Sequence, residues 1–264
     1  MPRISLATKS SFRSQFVTVT GASVSLASQW LDKYDWNLQE SINGYLNQDS
    51  YSRARPLKID SKLNAIYDKY KDSNNENKID INGTIAYLED LNFDPEHPIS
   101  LTLAFFLEAP TMGVFTKEKF LNKWQNEKIN SLSGMREFIL RLHNDLETNH
   151  ELFQELYNFT FGFLMEVPGQ RLLNYELAVD YWRLLLMNKK EFEPCYGRLE
   201  QWFDFILNEY KRGLSNDTWK MFYLFIKTIA LKDPSNFEDY DEMSAWPSVI
   251  DEYIEYLKEN KLLN

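Results

Sequence analysis

Three histidines (His97, His143, His150) and a single cysteine, Cys195, are the side chains of this 264-residue chain best suited to nucleophilic or acid–base work. Such catalysis needs a nucleophile, a base and an orienting group brought together. The spacing supplies no such set. His143 and His150 read as residues of exposed helix ends, and His97 precedes Pro98 in a loop. No histidines recur at metal-ligand spacing. Cys195, between Pro194 and Tyr196, reads as a part-buried small residue rather than a thioester cysteine. There is no phosphate loop, no G-x-G-x-x-G and no H-E-x-x-H. Carboxylates abound, but an acid pair for glycoside chemistry needs a cleft, and nothing marks one. What remains is binding.

One binding feature is acidic. Between Phe237 and Glu255 stand Glu238, Asp239, Asp241, Glu242, Asp251, Glu252 and Glu255, with no Lys, Arg or His among them. An acidic face on a helical scaffold docks a basic partner. Asp217 falls in the first turn of a helix pattern, where a carboxylate also suits the positive end of the helix dipole, and both readings stand. Ala245-Trp246-Pro247 opens the last helix pattern, with proline near its first position. Ile250, Ile254 and Leu257 give its buried stripe, and Asp251 and Glu255 share another face. The small Ala245 leaves room for a partner side chain. A solvated acidic helix is the plain alternative. The second feature is apolar: Ile81, Leu103, Ala104, Leu107, Phe115, Phe163 and Tyr181, by default an ordinary core.

These residues need an all-α scaffold. Glycines number 9, and apolar residues recur at spacings of three and four almost throughout. Residues 1–8 read as a loose tail. Residues 9–48 read as three short helices: Phe12, Phe16 and Val17 on the first, Trp30 and Leu31 on the second, and Leu38, Ile42, Tyr45 and Leu46 on the third. Thr20-Gly21-Ala22 reads as a turn, Asp35 or Asn37 as the third helix's cap, and the polar stretch 49–56 as a linker. Further helices are expected from Ser61, then over 100–108, 131–146, 151–165, 175–186, 197–209, 216–231 and about 245–258. Val167-Pro168-Gly169-Gln170 is a stop.

Composition bounds the partners. Lys and Arg total 29 against 39 Asp and Glu, so the net charge of −10 disfavours nucleic acid and anionic membranes. One cysteine excludes an internal disulfide and a Cys-rich metal site. The first 30 residues lack a signal-peptide apolar run, no 18-residue apolar stretch occurs, and Pro2 excludes N-myristoylation. A cytoplasmic or nuclear protein is expected.

Two local resemblances organise the scaffold. The segment ending in Asp35-Trp36-Asn37-Leu38 resembles a ubiquitin-associated (UBA) domain. The loop Asp72 to Gly83 resembles an EF-hand calcium loop, with oxygen residues at positions 1, 3, 5 and 9. It has Asn77 where the loop's glycine belongs and Gly83 where the bidentate glutamate belongs, which argues against a bound cation. Phe115-Thr116-(x)3-Phe120 and Leu214-Ser215-(x)3-Trp219 repeat its second half. The larger region therefore reads as EF-hand-like helix pairs without metal.

Longer motifs join these pieces. Asn216-Asp-Thr-Trp219, Asp239-Tyr-Asp-Glu-Met-Ser-Ala-Trp-Pro-Ser-Val-Ile-Asp-Glu252, Tyr67 to Ile79, Tyr157 to Phe161 with Pro168-Gly-Gln170, and Tyr181-Trp182 together resemble the defective-in-cullin-neddylation family, in a fungal-type member. The resemblance implies a UBA-like domain at 9–48 and a potentiating-neddylation (PONY) domain at 57–260. It implies a scaffold-type co-ligase without a catalytic residue or cofactor of its own. Its partners would be a cullin's C-terminal winged-helix domain and the N-acetylated conjugating enzyme that carries the Nedd8/Rub1-class modifier. It also implies that Asp217, Ala245 and Asp251 form a cullin-binding patch. Ile81, Leu103, Ala104, Leu107, Phe115, Phe163 and Tyr181 would line the pocket for the acetylated methionine, with Thr84 and Ser100 where aliphatic residues are expected. The UBA-like domain suggests ubiquitin or the modifier as a further partner. Two other readings stand beside it: an EF-hand-type calcium-binding protein and a ubiquitin-binding adaptor.

Overall fold

A computed structural model of the chain describes residues 6–20, 24–45, 59–167 and 169–263. The fold separates into two units, Met1–Ile59 and Asp60–Asn264.

Among the described residues of the first unit are three helices, α1 (Leu6–Thr20), α2 (Val24–Lys33) and α3 (38–45). Helix α1 starts within the stretch expected to be a loose tail. Phe16, Ala27, Leu31, Trp36 and Ile42 form the core, with Phe12, Trp30, Leu38 and Tyr45 packed against it. Of the two cap candidates it is Asn37 that serves, its Oδ1 accepting from Glu40 N at 3.2 Å. Trp36 donates from Nε1 to Asp32 Oδ1 at 2.7 Å and lies under Lys9 and Arg13. The expected Thr20-Gly21-Ala22 turn, Leu46 and the 49–56 linker fall wholly or partly outside the described residues.

The second unit repeats one local device four times. A two-residue strand ends in, or just before, a polar cap residue, and a helix follows. The strands are β1 (Lys78–Ile79), β2 (Phe115–Thr116), β3 (Leu172–Leu173) and β4 (Leu214–Ser215). The helices they open are α5 (Ile81–Asp90), α7 (Lys117–Asn126), α10 (Tyr175–Leu186) and α12 (Asn216–Phe225). Asp80, Thr116, Asn174 and Ser215 each accept from the backbone N–H three residues on, which satisfies a donor that no helix turn can reach. The strands pair antiparallel, Ile79 opposite Phe115 and Leu173 opposite Leu214. Each pairing joins two helix–loop–helix elements. The entering helices are α4 (Ser61–Tyr70), α6 (Pro98–Phe106), α9 (His150–Phe163) and α11 (Tyr196–Phe205). The long α8 (Leu132–Thr148) links the two pairs, and α13 (Ser248–Glu259) packs on α11.

A short 3-10 turn, Lys190–Cys195, leads into α11. Both α11 and α12 widen into a π turn, at Ile206–Tyr210 and Ile226–Ala230. The core of the second pair is aromatic. Trp182 stacks on Trp219 at 5.1 Å, and Tyr157 stacks on Trp219 at 4.8 Å. Their polar atoms are paired internally: Trp182 Nε1 donates to Tyr157 Oη at 2.7 Å, and Tyr157 Oη donates to the Trp219 carbonyl at 2.8 Å. Buried polar groups satisfied this way rigidify a core rather than weakening it.

Candidate functional site

The acidic end is built on a folded loop. Asp217 is exposed in the first turn of α12, Ala245 is exposed, and Asp251 is half-buried in the first turn of α13. Helix α13 begins at Ser248 with Pro247 as its cap, so Ala245 and Trp246 belong to the preceding loop. That loop is pinned by rings. Trp246 meets Phe225 edge-on at 5.8 Å and stacks over Tyr240 at 6.5 Å, while Phe237 meets Phe225 at 5.2 Å. The Tyr240 hydroxyl donates to Asp251 Oδ1, which fixes that carboxylate. Burial, then this bond, pushes the Tyr240 phenol well above its usual range, so the proton stays on the tyrosine.

Not all of the run is free charge. Arg212 pairs with Glu252, and Lys232 pairs with Asp239 at 2.9 Å. Both cations come from outside the segment that sequence shows as uninterrupted. The Arg212–Glu252 pair also ties α13 to the turn that leads into β4 and α12, the helix carrying Asp217. Asp241 is spent locally: its carboxylate accepts from Met243 N at 2.9 Å and from Ser244 Oγ at 3.3 Å.

The apolar set is divided by the structure. A cavity of about 460 Å³ opens among α5, α6, α9, α10 and the 111–114 turn. Ile81, Ala104, Phe115, Phe163 and Tyr181 line it. Leu103 and Leu107 do not; both are fully buried in the core. For Leu107 the reason is that α6 ends at Phe106 and Leu107 is its C-cap, and for Leu103 it is helical phase. Successive α-helical residues turn by about 100°, so Leu101 and Ala104 share a face and Leu103 does not. Leu101 lines the cavity in their stead, with Ile85, Leu184 and Met112. Ile85 lies four residues after Ile81, and Leu184 three after Tyr181, so same-face spacing could have found both. Met112 sits on a turn and had no such signal.

Thr84 and Ser100 do line the cavity. Thr84 Oγ1 donates to the Gly113 carbonyl at 3.0 Å, so its hydroxyl leaves no unpaired polar group. Gly113 has φ +71°, and a Cβ there would meet Ile81 Cδ1 at 2.3 Å, so only glycine lets the turn approach α5. The exposed carboxylates Glu96 and Asp180 also belong to the lining.

The remaining candidates have structural partners. His143 is not at an exposed helix end: it is half-buried on α8, its Nδ1 2.8 Å from Thr102 Oγ1. Burial, then neighbouring His97, holds its imidazole below the ordinary 6.5. His97 caps α6, its Nδ1 accepting from Ile99 N at 3.1 Å. Cys195 is buried, and burial pushes its thiol up to about 12, far from a reactive thiolate. In the 72–83 loop, Lys78 Nζ lies 3.3 Å from Asp72 Oδ2. A Cβ on Gly83 would meet the Tyr70 carbonyl at 2.0 Å, so this backbone cannot carry a glutamate at the loop's last position. Among the described residues, no group of three or more His, Cys, Asp or Glu side chains is placed to hold a metal ion.

Two family models match the chain. One, described as cullin binding, covers residues 134–256, and one described as a UBA-like domain covers residues 13–50. The defective in cullin neddylation protein 1 of Candida albicans is 41% identical over 98% of this chain and 100% of its own. That of Yarrowia lipolytica is 38% identical over 92% of this chain and 94% of its own. That of Saccharomyces cerevisiae is 28% identical, with 93% of each chain covered. On identity and coverage of this order, the chain belongs to the defective in cullin neddylation protein 1 family.

Proposed function

We propose that this chain acts in cullin neddylation as a two-handed adaptor with no catalytic side chain of its own. One hand is the acidic end, where Asp217 and Asp251 around Ala245 grip the C-terminal winged-helix domain of a cullin. The other is the apolar cavity, which takes the N-acetylated methionine of the conjugating enzyme. Holding both aligns the modifier's thioester with a cullin lysine. Restricted orientation of this kind lowers a barrier by several kcal/mol, up to about 7–11 kcal/mol in ideal cases.

The cavity carries the reading. Ala104, Phe115 and Phe163 give it an apolar wall. An acetylated amine enters uncharged, whereas a free ammonium would lose its hydration there. Exposed Glu96 and Asp180 suit a basic tail leading away from it. The 9–48 segment is read as a separate UBA-like domain that contacts ubiquitin or the modifier, and the 57–260 region as the domain that holds both hands.

Reconstituted cullin modification tests the proposal. Adding the protein should speed transfer from acetylated conjugating enzyme and leave the unacetylated enzyme nearly unaffected. Equal stimulation of both forms would sink the cavity's role. Charge reversal tests the other hand. Asp217→Lys and Asp251→Lys should each weaken cullin binding about tenfold or more with the fold intact. Wild-type binding by either folded variant would refute the patch. Deleting residues 9–48 should leave the reconstituted reaction largely unchanged.

A further inference from the structure

Among the described residues, Met243 is the most exposed large apolar side chain, at 88% of its surface. It stands clear of the core on a surface turn. Asp241 and Glu242 precede it, and Ser244 and Ala245 follow, all exposed. The turn that presents it is ordered. Asp241 Oδ1 accepts from Met243 N at 2.9 Å, Ser244 N donates to the Asp241 carbonyl at 3.0 Å, and Trp246 N donates to the Ser244 carbonyl at 2.8 Å. The Tyr240–Trp246 stack fixes both ends of the turn, and Tyr240 also holds Asp251. Fixing a backbone is entropically unfavourable, and here it leaves an apolar side chain without burial in the free protein.

We propose that Met243 is an apolar anchor that enters a socket on the same basic partner domain gripped by Asp217 and Asp251. This rests on the reading of the acidic end as the cullin-binding face. The occupant is set by continuity and charge. Met243 lies two residues before the exposed Ala245 in the same turn, and Tyr240 of that loop holds Asp251, so the turn that offers Met243 is continuous with the acidic end. Asp241 and Glu242 beside it require a rim of Lys or Arg around the socket. An unbranched thioether adapts to irregular apolar hollows, and methionine is enriched at interface centres with a polar rim. The acids then steer the encounter, and Met243 sets how long the complex lasts.

Binding kinetics of the full chain on an immobilised cullin C-terminal winged-helix domain test this. Met243→Ala should dissociate about tenfold faster, with association unchanged within about twofold. Met243→Leu should restore slow dissociation. Thermal unfolding of all three should coincide, because the side chain is already almost wholly exposed in the free protein. Asp251→Lys is the control for the grip itself. If it abolishes binding while Met243→Ala dissociates like wild type, the anchor is refuted and the cullin-binding face stands. If the wild-type chain fails to bind the domain, both fall. If Met243→Ala instead dissolves a dimer of this chain seen by sedimentation, the occupant is a second copy, and the anchor is again refuted.

Discussion

On the proposed cullin-binding face, Asp251 would be a grip of fixed direction. The Tyr240 hydroxyl occupies one of its oxygens, which leaves the other for a partner and fixes the direction in which it is offered. Tyr240→Phe should therefore weaken cullin binding a few-fold while Asp251 keeps its charge. The loss should be smaller than for Asp251→Lys, and isothermal titration of both variants would show the order. Gly83 is a second residue with little freedom, because the Tyr70 carbonyl occupies the place of its side chain. Gly83→Ala should lose about 1–3 kcal/mol in urea unfolding, the range for forced overpacking. A neutral result would mean that α4 and α5 separate more easily than their packing implies.

The elements were legible in the sequence to different depths. Helix positions followed from the three-and-four spacing, and 175–186 coincides with α10. Two halves of the EF-hand-like pattern could be read because a cap is followed four residues later by a large ring, Phe120 or Trp219. The equivalent positions in the other two loops are Thr84 and Ala178, small residues that carry no signal. The β3 loop was invisible for that reason. The acidic run was legible in the sequence, but its setting was not. Arg212 and Lys232 neutralise two of the acids from outside the run, which no local reading detects. Leu103 was assigned to the cavity because a list of apolar residues does not specify helical face, and Leu107 because such a list does not show where α6 ends.

The same element scale predicts where stability resides. Tyr157 receives the Trp182 indole N–H, and its own hydroxyl donates to the Trp219 carbonyl. Tyr157→Phe should cost about 1–3 kcal/mol, the penalty for stranding a buried donor. Trp182→Ala should cost about 3–5 kcal/mol, typical of removing a buried indole. Chemical denaturation followed by tryptophan fluorescence would rank them.

For the whole molecule, charge and pH set the working range. With a net charge of −10, association with a basic domain should slow as salt rises, while dissociation changes little. Stability should also fall on mild acidification. The folded state holds His143 below its ordinary 6.5, so the unfolded chain takes up the proton first. The contribution is intact above 6.5 and is lost as pH falls from there through the lowered folded value. His143→Gln should flatten that slope in unfolding curves taken from pH 7 to 5. An unchanged slope would assign it to another group.

No helix among the described residues is long and apolar enough to cross a membrane. The remaining question at this scale is what could turn the adaptor off, and the Lys78–Asp72 pair speaks to it. A tethered ammonium cannot diffuse away, be chelated or arrive in a pulse. The helix pair around that loop is therefore expected not to respond to calcium. Thermal midpoints should match in calcium and in chelator. Under the proposed function, timing would then be written elsewhere, in whether the conjugating enzyme's first residue has been acetylated.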